Sequence, residues 1–154
     1  MVWFTPQGEH REAFVADIPD AIYNLWSPGD KKIAQLELLM VLYGLLARPE
    51  CFRHRRGIWF IDNTAALMAL IRGRSDSADL ERMASMIHTA LYSLECWIYW
   101  EWIPSKSNWS DAISRLGFHD PWLKKERFQV FTAYFPLILW KLPFRAIVRI
   151  FALV

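Results

Sequence analysis

Two apolar patterns alternate along this chain, one short and dense, the other spaced for helices. Met1–Phe4 and Glu12–Ile18 are short apolar runs on either side of Thr5-Pro6-Gln7-Gly8. Pro and Gly suit a tight connection there, so the pair predicts an antiparallel hairpin. Residues 19–32 carry no period and predict irregular structure. From about Lys31 to Ala47 the spacing becomes helical, with Ile33, Leu36, Met40, Tyr43 and Ala47 on one stripe. Leu38, Val41, Leu42 and Leu45 make the other side apolar as well, which predicts a largely buried helix. Ile58–Ile61 is short and partly β-branched and predicts a buried strand. Ala65–Ile71 continues as a helix that Gly73 ends. Asp76 or Ser77 caps a longer helix from about Ala78 to Glu95, whose apolar face runs from Leu80 through Met83 and Ile87 to Leu94. Cys96–Ile103 is a strongly aromatic strand stopped by Pro104, and Trp109–Leu116 is a short helix closed by Gly117.

This order predicts an α/β domain over residues 1–117, a mixed sheet flanked by helices, followed by an apolar and basic C-terminal extension over residues 118–154. The uncharged stretch Phe128–Trp140 is 13 residues, short of the roughly 20 that a spanning helix needs. Lys141, Arg145 and Arg149 recur every fourth residue, giving a basic amphipathic helix that packs on the domain. A membrane partner is not expected. Apolar residues make up 54% and charged residues 22%, which excludes a disordered chain. Nine Trp mean that aromatic packing fills much of the core. The net charge of +2 says nothing about nucleic acid, although basic residues cluster at 53–56, at 72 and 74, and at 124–125. Cys51 and Cys96 lack metal-ligand spacing, and the start of the chain lacks the pattern of a secretion signal. Both features predict reduced core thiols in an intracellular protein, cytoplasmic or nuclear.

Three carboxylates stand in positions suited to chemistry. Glu37 lies inside the first long helix, with Ile33, Met40 and Val41 as its neighbours on the helix surface. Burying it costs free energy unless a partner compensates, and a solvent edge is the simpler placement. Asp62 ends the Ile58–Ile61 strand, where ligands sit in open α/β sheets. It is equally a candidate cap for the next helix. Asp111 falls in the first turn of the Trp109–Leu116 helix, where an acid also complements the helix dipole.

The segments Ile33-Ala34-Gln35-Leu36-Glu37-Leu38-Leu39 and Phe60-Ile61-Asp62-Asn63-Thr64-Ala65-Ala66 carry a resemblance, as does Ile103-Pro104-Ser105 with Asn108, Asp111, Ser114 and Arg115. Together the chain resembles the RNase H-like domains of retrotransposon reverse transcriptase polyproteins, those of DIRS-like and related elements. The resemblance covers residues 33–115. It implies an RNase H-like mixed sheet and metal-dependent hydrolysis of the RNA strand of an RNA–DNA hybrid. Glu37, Asp62 and Asp111 would hold two Mg²⁺ or Mn²⁺ ions, about 3.5–4 Å apart in such sites. Carboxylate oxygens suit these hard cations. Asn63, Thr64 and Asn108 become candidates for nucleic-acid contact, Asn63 and Thr64 to the sugars. Arg55, Arg56, Arg72 and Arg74 become candidates for phosphates, and Arg115 a further candidate for nucleic-acid contact. The reverse transcriptase part of such a polyprotein is an implied partner.

One departure bears on activity. The family opens with a central strand carrying its first aspartate, and no such strand stands in these residues; Met1–Phe4 matches the family's second strand. The resemblance is therefore to an N-terminally truncated domain, lacking one catalytic acid and impaired as a ribonuclease. The alternative is a non-catalytic nucleic-acid-binding or scaffolding module derived from the same source. Without the central strand, either the hairpin pairs directly with the Asp62 strand or it detaches. A strand drawn from residues 118–154 would overturn both outcomes.

Overall fold

The computed structural model describes residues 1–27, 32–134, 141–143, 146–147 and 149. Its strands are β1 (Val2–Thr5), β2 (Gly8–Val15), β3 (Arg56–Ile61), β4 (Trp97–Trp102) and β5 (Gln129–Thr132). Its helices are α1 (Asp20–Tyr23), α2 (Ile33–Ala47), α3 (Thr64–Arg72), α4 (Ala78–Ser93), α5 (Trp109–Leu116) and α6 (Pro121–Lys125). The fold is mixed α/β, with small sheets flanked by helices.

The core is built around α2. Its residues are apolar on all sides, and Leu38, Leu39, Val41, Leu42, Tyr43 and Leu45 are all buried. The inner face of α4, with Met83, Met86 and Ile87, packs in the same core. From the sheet side come Ile61, Trp59, Ile98 and Trp100. Trp59 stacks on Phe52 at 5.8 Å between ring centres and leans on Trp100 at 6.2 Å. Cys51 and Cys96 are buried free thiols, and burial pushes both above the ordinary thiol range.

Capping chemistry sets the helix limits. Asn63 accepts the Ala66 N–H at 3.0 Å to start α3, and Gly73, at φ 65°, ends it. Asn108 accepts the Ser110 N–H at 3.1 Å to start α5. The short helix α1 falls within the stretch expected to be irregular.

The sheet departs from expectation. β1 and β2 form the antiparallel hairpin, but β5 then joins β2 in parallel, pairing Phe14 with Phe131 and Val15 with Thr132. β3 and β4 form a separate parallel pair. So β1 does not pair with β3, and the hairpin is not detached either. Side-chain contacts hold it. Arg48 at the end of α2 pairs with Glu12 at 3.0 Å and lies 4.0 Å over the Phe131 ring. Arg11 pairs with Glu126 at 2.6 Å. Arg55 donates to the Phe4 carbonyl at 3.0 Å, and Phe14 packs beside Gly44. The described part of residues 118–154 belongs to the fold. Residues 129–132 complete a sheet, and Leu123, Ala133 and Ile147 are buried. Alternation could not reveal β5, because Gln129-Val130-Phe131-Thr132 is four residues inside a longer apolar run. The basic face expected at Lys141, Arg145 and Arg149 lies partly outside the described residues.

A second correction concerns β3, which is buried on one face only. Ile61 is buried and Trp59 half-buried, while Ile58 and Phe60 are exposed.

At Gly44, α2 packs close against the sheet. A Cβ there would lie 3.0 Å from Trp59 Cη2 and 3.5 Å from Phe14. Trp59 is wedged between Phe52 and Trp100 and has little room to give. Gly44→Val is expected to destabilise the protein by about 1–3 kcal/mol through overpacking. Gly44→Ala is expected to be nearly neutral, because a helix-propensity gain of about 1 kcal/mol offsets the tighter contact. Thermal melts followed by circular dichroism check this; equal losses for the two variants would show that Trp59 cannot move at all.

Candidate functional site

Asp62 follows the last residue of β3. The β3–β4 ladder reaches this point, since Ile61 accepts the Ile103 N–H at 3.1 Å. The side chain that caps α3 is Asn63, not Asp62. This removes the capping role as an account of Asp62 and leaves its carboxylate available. It is half-buried at the carboxyl end of the parallel pair.

Glu37 stands one turn into α2 and is half-buried, on the side of the helix that faces the end of β3. Its pKa is pushed up from the ordinary 4.5 to about 7. Loss of water around the carboxyl is the largest cause, followed by the charge of Asp62, a hydrogen bond shared with Asp62, and the charge of Asp111. The solvent-edge placement of Glu37 therefore does not hold. A carboxyl hydrogen-bonded to a second carboxyl holds its proton because two adjacent negative charges repel.

Asp111 is near enough to act on Glu37 through its charge, but it is turned to a partner of its own. Arg115 donates to its two carboxylate oxygens at 2.8 and 3.2 Å, one helical turn on. Ser114 donates to the Asp111 carbonyl at 2.8 Å. Asn108 accepts both the N–H and the hydroxyl of Ser110. The Asn108, Asp111, Ser114 and Arg115 pattern is thus a self-supporting helix start. Two features that the chain's periodicity did not reveal brace it. Trp109 packs against Trp122 at 5.0 Å, and Trp122 against Phe128 at 5.0 Å. Asp120, buried, caps α6 through the Trp122 N–H at 2.9 Å. A capping acid directly before Pro121, in the order Asp-Pro, was the available signal.

Other candidates are dispersed. Thr64 is exposed at the first position of α3, beside Asn63. Arg56 opens β3, about 17 Å along the strand from Ile61 at 3.3 Å per residue. Arg72 and Arg74 are exposed at the far end of α3, about 12 Å from its start at 1.5 Å per residue. Arg72 there complements the helix dipole. Arg55 is engaged with Phe4. Of the candidate arginines, Arg115 is the one tied to an acid of the cluster.

No family model matches the chain, and no curated protein or solved structure is significantly similar to it. The site rests on its own geometry.

As donors, three carboxylates suit Mg²⁺ or Mn²⁺ in kind. In arrangement they fit in part. Glu37 and Asp62 touch, whereas among the described residues no three His, Cys, Asp or Glu side chains are gathered closely enough to hold an ion. Asp111 is the outlier, held by Arg115. A cavity of about 440 Å³ lies elsewhere, lined by Trp3, His10, Arg11, Lys125, Arg127 and Gln129 among others, and contains none of the three acids.

The Glu37 proton links stability to pH. Its pKa is higher in the folded state, so between pH 4.5 and about 7 the folded chain holds more protons than the unfolded one. Its contribution to stability is therefore full below pH 4.5 and declines as pH rises through 7. Glu37→Gln keeps a hydrogen-bond donor toward Asp62 and removes the titration. Relative to the parent, it is expected to leave the melting temperature unchanged near pH 5. Near pH 8 it is expected to raise it by about 2–4 °C, on the order of 1 kcal/mol once water's access is discounted. Identical shifts at both pH values would mean that Glu37 does not face Asp62.

Proposed function

We propose that this chain carries an RNase H-like catalytic centre for metal-dependent hydrolysis of the RNA strand of an RNA–DNA hybrid, with Glu37, Asp62 and Asp111 as its acids. The observation that carries the reading is the convergence of acids from three separate elements. Glu37 from α2 shares a hydrogen bond with Asp62 from the end of β3 and also lies within the electrostatic reach of Asp111 from α5. Structural economy does not explain such a placement, because the neighbouring acids raise the cost of ionising a Glu37 already short of water. Clusters of this kind are enriched where chemistry is done.

Glu37 and Asp62 would hold the ion, with Asp111 as a further ligand once released from Arg115. The ion supplies Lewis-acid stabilisation of the charge that develops on a phosphodiester oxygen. The rest falls to the protein. Asp62 is held at the strand end by the β3–β4 ladder, and Asn63 is locked as the cap of α3. Thr64, exposed beside them, would meet the sugar edge, where the 2′-hydroxyl separates RNA from DNA. Arg115 neutralises Asp111 and offers a cation to phosphate on its exposed side. An open surface suits a polymer that must lie across it.

A second reading, a non-catalytic nucleic-acid-binding or scaffolding module, is favoured by one observation. The Asp111–Arg115 pair leaves two carboxylates in contact where a two-ion site needs more.

The two readings separate on one assay. Purified chain with Mg²⁺ or Mn²⁺ and a labelled RNA–DNA hybrid is expected to cut the RNA slowly. Asp62→Asn is expected to lower the rate at least about 100-fold, the scale on which losing a group aimed at the developing charge acts, with folding unchanged by circular dichroism. Binding of the hybrid without cutting, unaltered by Asp62→Asn, would give the second reading.

A further inference from the structure

The β3–β4 pair has an outer face that nothing in the proposed function uses. In register, Arg56 lies beside Trp97, Ile58 beside Tyr99, and Phe60 beside Glu101. Side chains alternate along a strand, and paired residues share a face. These six therefore form one surface, while Trp59, Ile61, Ile98 and Trp100 form the other and pack on the core. The outer surface is open. Ile58 is 62% exposed, Phe60 51%, Trp97 75% and Tyr99 65%.

Parallel strands are found almost always with both faces covered. Four large side chains of this kind expose on the order of 500 Å² in a single patch. That is at the upper end of what an isolated soluble chain displays. Something is expected to cover it, and the charges indicate what.

Arg56 stands at one end of the patch and Glu101 at the other, about 13 Å apart along the strands. A twofold axis through the middle, at Ile58 and Tyr99, would set Arg56 over Glu101 of a second copy, and Glu101 over its Arg56. The surface is complementary to itself. Two sheets packed face to face lie about 10 Å apart, a gap that an Arg and a Glu reaching from opposite sides can bridge. Arg56 and Glu101 are both exposed and would add their own area. The total then approaches the roughly 800 Å² per partner of a stable interface. A nucleic-acid platform is the rival occupant, since bases stack on aromatic strands. Such a platform also needs cations that follow the phosphates, and this face holds one cation and one anion.

We infer that the outer face of β3–β4 is a homodimer interface, in which Ile58, Phe60, Trp97 and Tyr99 pack against the same residues of a second copy and Arg56 pairs reciprocally with Glu101. The assembly is closed, so association stops at two.

Sedimentation equilibrium of the full chain across the micromolar range tests this. The expected result is a monomer–dimer equilibrium with no larger species. Tyr99→Glu, on the exposed face, is expected to give monomer with an unchanged circular dichroism spectrum. Arg56→Glu and Glu101→Arg are each expected to weaken the dimer at least about tenfold, because like charges then face each other. Combining the two exchanges is expected to restore it to near the parent value. The charge exchange keeps the test decisive if Tyr99→Glu fails to fold. A chain that stays monomeric throughout would overturn the inference. So would self-association that ignores Tyr99→Glu, or a combined exchange no better than the single ones. Monomeric chain that instead binds single-stranded RNA through Trp97 and Tyr99 would overturn it in favour of the rival occupant.

Discussion

The arrangement depends on how closely one apolar helix can approach one strand. α2 is buried along most of its length, and Gly44 lets its backbone come within van der Waals reach of Trp59 on β3. That approach brings Glu37, nearly two turns earlier on the same helix, up against Asp62 at the end of the same strand. Pushing α2 outward at Gly44 would separate the two carboxyls. Packing and chemistry thus share one degree of freedom. The distance that satisfies Trp59, Phe52 and Trp100 also sets how strongly the acids repel.

The same helix organises the periphery. Arg48, just past its C-terminal end, binds Glu12 on β2 and covers the Phe131 ring on β5. The three-stranded sheet is thereby fastened to the core through the Arg48 guanidinium, the Arg55–Phe4 hydrogen bond and Phe14 beside Gly44, without strand pairing to β3. The edges that face each other are managed by charge. In the hairpin, Met1 and Glu12 exchange both backbone hydrogen bonds. By alternation, the backbone groups of Val2 and Phe4 point away from β2. Arg55 takes up the Phe4 carbonyl, and Arg56 stands at the head of the β3 edge. Cationic residues on an edge discourage indiscriminate pairing.

Much of this was legible because it is local. Gly73 after Arg72 and Gly117 after Leu116 are short-range signals, and each marks an observed helix end, whereas the cap of α3 is Asn63 and not the neighbouring Asp62 that the sequence offered. The apolar periods of α2 and α4 also correspond to buried faces. What escaped is what period cannot encode. A period of two cannot say which face of a two-stranded pair is covered, so β3 read as buried although Ile58 and Phe60 are exposed. Nor can it say that Gln129–Thr132 will cross the molecule to lie parallel to β2, since that partner is more than a hundred residues away. At the site, the sequence placed three acids in suitable settings but not their contacts. The engagement of Asp111 by Arg115 follows from four-residue spacing on a helix and could have been anticipated. The approach of Glu37 to Asp62 depends on helix–strand distance and could not.

The Asp111–Arg115 pair invites a purely structural account, in which the α5 pattern is a well-capped helix and nothing more. Energetics argue against stopping there. An exposed i,i+4 ion pair contributes only about 0.3–0.5 kcal/mol, whereas an acid within reach of Glu37 and Asp62 adds repulsion to a carboxyl already short of water. For stability alone, a neutral residue at position 111 would serve better. Arg115 reconciles the two demands. It lowers the repulsion that Asp111 exerts and stays exposed, so an incoming anion or cation can draw the pair apart. An ion pair this exposed can be rearranged at small cost. Among the described residues no three such side chains are gathered closely enough for one ion, so Asp111 would have to leave Arg115 before it could join Glu37 and Asp62.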